Sequence, residues 1–259
     1  MVDPLRLCER AVAIQGGRLA LVPTKPPAAD PRFDGFADSK LSFFRSLAKH
    51  QDREWFAKRK GEYEEGWHKP MLALLTEARA KLDRVYEHCE LAEPKVMRIH
   101  RDVRFSKDKS PYKTWIGGGV SVARSAKLPG SPAALYMHVG IEEGRPRAFG
   151  ASGIYGMMPD ALARYRTALL DDEKGREIAG LVAKLEKKGF RVGAMETTQK
   201  VPRGVDPEHP RAELLKKKGL IVSFEAPLPS LTKRALLDWA VERARAAAPL
   251  VEWLTFATA

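Results

Sequence analysis

The sequence predicts an α+β protein: a mostly antiparallel sheet packed with N-terminal and C-terminal helices. Three observations carry this. Apolar residues recur at helical spacing before residue 90 and again after Pro159. Between them, from Lys95 to Ser152, short apolar runs are separated by turns such as Pro129-Gly130-Ser131 and Glu143-Gly144-Arg145. Strands that close together leave no room for the crossovers that parallel pairs need.

Residues 1–22 hold two short apolar runs, Ala11–Ile14 and Leu19–Val22, around Gly16-Gly17, the pattern of a hairpin. Residues 23–32 contain four prolines and read as a linker, so 1–32 is expected to be an extension and 33–259 one α+β domain. Asp38 or Ser39 can cap a helix from about Lys40 to His50, with Leu41, Phe44 and Leu47 on one face. Asp52 opens a second helix through Trp55, Phe56 and Tyr63, rings that belong to a core. A third runs from Pro70 to Glu87, with Met71, Leu74, Leu75, Ala78, Leu82 and Val85 at helical spacing. Strands are expected over Lys95–Arg104, Trp115–Arg124, Leu135–Ile141 and Arg147–Ser152. Pro159 suits a first helical turn, and a further helix, Asp172–Lys188, stops at Gly189. Phe190–Glu196 and Leu220–Glu225 read as strands, Pro207–Lys218 as a short helix, and Leu231 to Ala248 as a last helix capped by Ser230.

A chain of 259 residues, 44% hydrophobic and 30% charged, can bury a core, which excludes wholesale disorder. No apolar run reaches the roughly 18–20 residues of a membrane span. Arg6 and Arg10 resemble the start of a signal peptide, but Gln15-Gly16-Gly17-Arg18 interrupts any apolar stretch after them. Cys8 and Cys89 form no paired motif and read as reduced thiols, so the expected compartment is the cytoplasm. The oligomeric state is not readable.

Formal net charge is +12, and much of it is local. Residues 98–127 carry eight Lys and Arg against Asp102 and Asp108. Such density suits a phosphate-bearing or acidic partner, although solubility alone also explains it. Within this stretch an extended chain puts Arg98, His100, Asp102 and Arg104 on one face, and Ile99, Arg101, Val103 and Phe105 on the other. Guanidiniums grip phosphate or carboxylate in bidentate fashion, and a His beside an Asp can move protons near neutral pH. Ser106-Lys107-Asp108-Lys109-Ser110 before Pro111 then offers hydroxyls, ammoniums and free N–H groups, with Asp108 tying the turn. Tyr112 or Trp115 could stack on a base, and Lys113 adds charge.

Phe33-Asp34-Gly35-Phe36, Glu54-Trp55-Phe56 with Lys60 and Tyr63, the run Arg101-Asp102-Val103-Arg104-Phe105-Ser106-Lys107-Asp108-Lys109-Ser110-Pro111-Tyr112-Lys113-Thr114, Val201-Pro202-Arg203-Gly204 and His209-Pro210 resemble the conserved hypothetical proteins grouped as domain of unknown function 2461. The resemblance covers the chain from about Phe33 onward. It implies that these motifs share one domain, and it brings no activity, cofactor or substrate.

Lys200 and Arg203 beside a Pro-Gly turn would join the same anion site if folding brings them there. His209 and Glu213 lack a third ligand, and no HExxH or Cys/His cluster is present, so neither metal nor cofactor is expected. Gly117-Gly118-Gly119 lacks the context of a dinucleotide site and marks a bulge or a close backbone approach. Three functional readings remain open. The first is a module binding a phosphate-bearing or other anionic ligand, nucleic acid or nucleotide among them, through Arg98, Arg101, Arg104, Ser106, Lys107, Asp108, Lys109, Tyr112, Lys113 and Arg203. The second is an enzyme on a phosphorylated or carboxylated small molecule, with His100 and Asp102 as catalytic residues. The third is a structural or interaction domain locked by buried ion pairs.

Overall fold

The structure, a computed structural model, describes residues 32–86, 88–104, 108–123 and 130–259. The expected N-terminal hairpin and most of the linker lie outside these residues. Among the described residues, seven α-helices pack on one six-stranded antiparallel sheet, the α+β architecture expected.

Helix α1 (Ser42–Lys49) buries Phe43, Phe44 and Leu47, and the Asp38 carboxylate accepts from the Ser42 amide. Helix α2 (Arg53–Tyr63) is capped as its sequence predicts: Asp52 Oδ1 accepts the Trp55 amide at 2.7 Å. The expected break before the third helix does not exist. A π-turn, Glu64–His68, carries α2 directly into α3 (Lys69–Leu82), and Pro70 sits near the start of α3 without ending the helix. Trp67 projects from that turn into the core and stacks on Phe36.

The sheet contains β1 (Lys95–Val96), β2 (Trp115–Ser121), β3 (Ala133–Glu142), β4 (Arg145–Ile154), β5 (Arg191–Gly193) and β6 (Leu220–Glu225), in the order β1-β2-β3-β4-β6-β5. Strands β2 to β4 form a meander, whose last turn uses Glu143 and Gly144 at positive φ. The Gly117–Gly119 run does mark close approach: a Cβ on Gly118 would stand 2.7 Å from both Leu75 Cδ1 and the Lys95 carbonyl. A register shift follows between Val120 and Ser121.

Helices α4 (Pro159–Leu170) and α5 (Asp172–Lys187) join β4 to β5, with Asp171 capping α5 through the amides of Glu173 and Lys174. The helix expected over Pro207–Lys218 shrinks to α6 (Ala212–Leu215), since Pro207 and Pro210 supply no amide protons. The last helix, α7, spans Ala235–Ala257 and accommodates Pro249 in its interior. Ser230 is not its cap; it ends a short 3₁₀ turn, Leu228–Ser230. The core lies between one face of the sheet, with Leu135, Met137, Val139 and Ile141, and helices α1, α3 and α7. No described helix is long and apolar enough to cross a membrane.

Candidate functional site

The strand expected over Lys95–Arg104 stops at Val96. Beyond it the chain pairs once more, at His100 with Tyr112, where Arg101 N–H donates to the Pro111 carbonyl and Lys113 N–H to that of Ile99. Between the β1–β2 ladder and this bridge the register slips by two residues. The cause is Thr114. Its hydroxyl donates to the Ile141 carbonyl at 2.7 Å and its own carbonyl accepts the Ile141 amide at 2.8 Å, so the chain at Lys113–Thr114 is drawn toward β3. What remains is a narrow arm whose two sides are 98–101 and 111–114.

The alternation read from the sequence survives in burial: Ile99 is buried and Arg101 and Val103 are half-buried, whereas Arg98, His100, Asp102 and Arg104 are exposed. Phe105, Ser106 and Lys107 lie outside the described residues. Asp108 accepts the Ser110 amide at 2.9 Å, the turn expected of it, and the Ser110 hydroxyl first, then this amide and nearby Arg101, hold its carboxyl below the usual range. Lys109 Nζ donates to the Val103 carbonyl across the arm.

The arm lies against the start of α2, and an open cleft of about 820 Å³ separates them. Arg101, His100, Lys109 and Tyr112 line one wall. The other comes from Arg53, Phe56, Ala57 and Lys60, spaced i, i+3, i+4 and i+7, with Gln51 and Asp52 ahead of them. Gln51 joins the walls: its Oε1 accepts the Tyr112 amide at 3.0 Å while its Nε2 donates to the Leu47 carbonyl. The Tyr112 ring stacks on Phe56 with centroids 4.5 Å apart, and the His100 ring rests 5.2 Å from Tyr112. Arg101 reaches Asp108 at 3.3 Å and the Tyr112 carbonyl at 3.4 Å with its NH2, but its buried Nε has no partner among the described residues.

Several expected site residues go elsewhere. Asp102 does not pair with His100. Both its oxygens receive the Arg104 guanidinium, at 3.0 and 2.8 Å, and that fork lowers its pKa. An extended chain that puts two side chains on one face also lets the next residue on that face compete for the carboxylate, and a guanidinium two positions on wins. Lys113 donates to the Arg98 carbonyl and lies over the Trp115 ring at 4.8 Å. Burial first, then Arg98 and Arg101, push its pKa down. Arg203 is exposed in the β5–β6 connection, whose strands form the opposite edge of the sheet from β1 and β2. Among the described residues no group of three His, Cys, Asp or Glu could hold a metal ion. The residues that sequence reasoning missed, Gln51 and Arg53, were signalled only by the Asp52 cap, which fixes the phase of α2.

Comparison with curated proteins and with solved structures found no match. A family model described as conserved hypothetical protein (DUF2461) matches residues 39–253, most of the chain. The chain therefore belongs to the DUF2461 family of conserved hypothetical proteins.

Proposed function

We propose that this is a cytoplasmic binding protein for a phosphate-bearing or other anionic ligand, held in the cleft between α2 and the arm formed by residues 98–104 and 108–114. The observation that carries the reading is Arg101. Its side chain is about a quarter exposed (27%), enters the cleft wall, and leaves a buried donor unused. A buried N–H without an acceptor costs about 1–3 kcal/mol, which an oxyanion would recover by drawing the guanidinium outward into the cleft. Arg53, Lys60 and Lys109 around it add positive charge, and the Asp52 carboxylate is turned to its own helix cap. A guanidinium beside ammoniums at the rim, Lys60 paired with Glu64 and Lys109 resting on the Val103 carbonyl, suits a phosphate group that displaces these weaker partners. Phe56, Ala57, Val103 and Pro111 give the cleft apolar surface for the rest of the ligand, and a nucleotide meets both demands.

The test is a thermal-shift and calorimetric screen of the full chain with inorganic phosphate, pyrophosphate and nucleotides. At 100 times Kd a bound ligand adds about 2.7 kcal/mol to stability. The expected result is a salt-sensitive shift that disappears in Arg53→Ala/Lys60→Ala and weakens in Lys109→Ala. These are cleft-rim side chains whose removal leaves the core intact. A shift identical in wild type and both variants, or none with any phosphate compound, overturns the proposal.

A further inference from the structure

The sheet has a second face that no described helix covers. Paired residues of adjacent strands share a face, and the register places Trp115, Gly117, His138, Phe149 and Ala151 opposite the core side. Trp115, Tyr136 and Phe149 take no part in the hydrophobic core; their ring contacts are with one another and with His138.

These rings form a row across three strands. Lys113 lies over Trp115 at 4.8 Å. Trp115 meets His138 at 4.8 Å, His138 stacks on Phe149 at 4.7 Å, and Arg147 lies over Phe149 at 4.7 Å. A cation therefore closes the row at each end. His138 is only 3% exposed, covered by its neighbours, and the row presents the half-buried rings of Trp115 and Phe149. Beside it Tyr136 lies across Gly117 and Gly119, where a Cβ on Gly117 would stand 2.5 Å from Tyr136 Oη, so the glycines let this ring lie flat on the sheet as a further part of the surface. Met97, whose amide donates to Gly117, and Tyr155, just past β4, are exposed apolar groups at the two sides of this surface, 46% and 60% accessible. Exposed apolar groups gathered on one face mark contact with a partner.

Charge selects that partner. Lys95, Lys113, Arg145, Arg147 and Arg191 belong to this face by register or by contact with its rings. Its acids, Glu142 and Glu225, are already paired with Arg147 and Arg191. A second copy of the same face would bring like charges together, which excludes self-association through it. The complement is a polyanion with flat apolar groups, and unpaired nucleobases on a phosphate chain supply both. With Arg147 and Arg191 held by Glu142 and Glu225, Lys95, Lys113 and Arg145 leave the face net positive, and Lys113, resting on the Trp115 ring, can turn to a phosphate while a base takes its place. We infer that this open face binds single-stranded nucleic acid, independently of the cleft beside α2.

The test is fluorescence anisotropy of the full chain with labelled dT12 and rU12, at 50 and 200 mM salt. Arg145→Glu and Tyr155→Ala alter exposed side chains, so their melting temperatures serve as the folding check. Each is expected to weaken binding at least tenfold with an unchanged melt, while Arg53→Ala/Lys60→Ala binds like wild type. Binding to either sugar supports the inference, and the tighter of the two names the nucleic acid. Four results overturn it: no binding to either oligomer at 50 mM salt, equal affinity for a 12-base-pair duplex, displacement by polyglutamate as efficient as by unlabelled oligomer, or loss in the cleft variant with retention in both face variants.

Discussion

Gln51 holds the two walls of the cleft together, and removing its amide isolates one hydrogen bond. In Gln51→Leu the volume changes little and both polar atoms go. The Leu47 carbonyl keeps the His50 amide, at 3.2 Å, so it is not orphaned. The Tyr112 amide, in a residue 3% exposed, loses its acceptor. A buried donor left unsatisfied costs about 1–3 kcal/mol, so a loss of about 2 kcal/mol is expected. With a urea slope near 2 kcal/mol/M, the unfolding midpoint falls by about 1 M. Amide exchange at Tyr112 should accelerate more than exchange in β3, because the arm loosens before the sheet opens. Gln51→Glu keeps the acceptor and is expected to recover part of the loss. A Gln51→Leu protein with wild-type stability and a still-protected Tyr112 amide would refute the reasoning and leave the Phe56–Tyr112 stack as what fixes the arm.

Two further outcomes concern the sheet. Gly140→Ala is expected to cost about 3 kcal/mol and Gly117→Ala about 1, because a Cβ on Gly140 meets Trp115 Cα at 2.4 Å and the Thr114 carbonyl at 2.6 Å, whereas Gly117 faces the movable end of Tyr136; urea unfolding with equal losses would contradict this. Burial lowers the His138 pKa from 6.5 to about 4, against the opposing pull of Glu142 and with the help of Arg147. The unfolded chain then binds a proton that the folded one refuses. Stability is therefore unaffected above about pH 6.5 and falls between there and pH 4, by at most about 3 kcal/mol. His138→Phe should flatten that part of the stability profile; an unchanged slope would show that His138 does not set it. The 3.2 Å between His138 Nε2 and Glu142 is too poorly aligned for a hydrogen bond, which agrees with a neutral imidazole there.

The class of the fold was legible because its signals are local. Asp52, Pro159 and Gly189 punctuate helices by their own chemistry, and the meander is spelled by alternation and turns. Errors arose where tertiary contacts overrule local preference. The last helix is expected to end at Ala248, yet α7 continues through Pro249 to Ala257, with Leu250, Val251 and Leu254 fully buried beyond the proline. Thr114 gives no sign that it will reach Ile141 and bend the arm away from β1. For the same reason the cleft was half visible. The arm announces itself by charge, but its opposite wall is a helix face that becomes a wall only once Gln51 meets Tyr112. The pairing of Asp102 with Arg104 rather than His100 depends on rotamers, which alternation does not encode.

The π-turn at Glu64–His68 has a consequence for how tightly cleft and core are geared together. A π-turn fits one more residue into a turn than an α-helix does, so it shifts the downstream helix by about one residue, or 100° of rotation. Helices α2 and α3 are thus continuous but out of phase, like two cams keyed at different angles. Upstream, the keyed face presents Arg53, Phe56 and Lys60 to the cleft; downstream, Met71, Leu74 and Ala78 engage the core. Losing one residue from the turn would re-time the cams: either Trp67 leaves the core or the cleft wall swings away from Arg101.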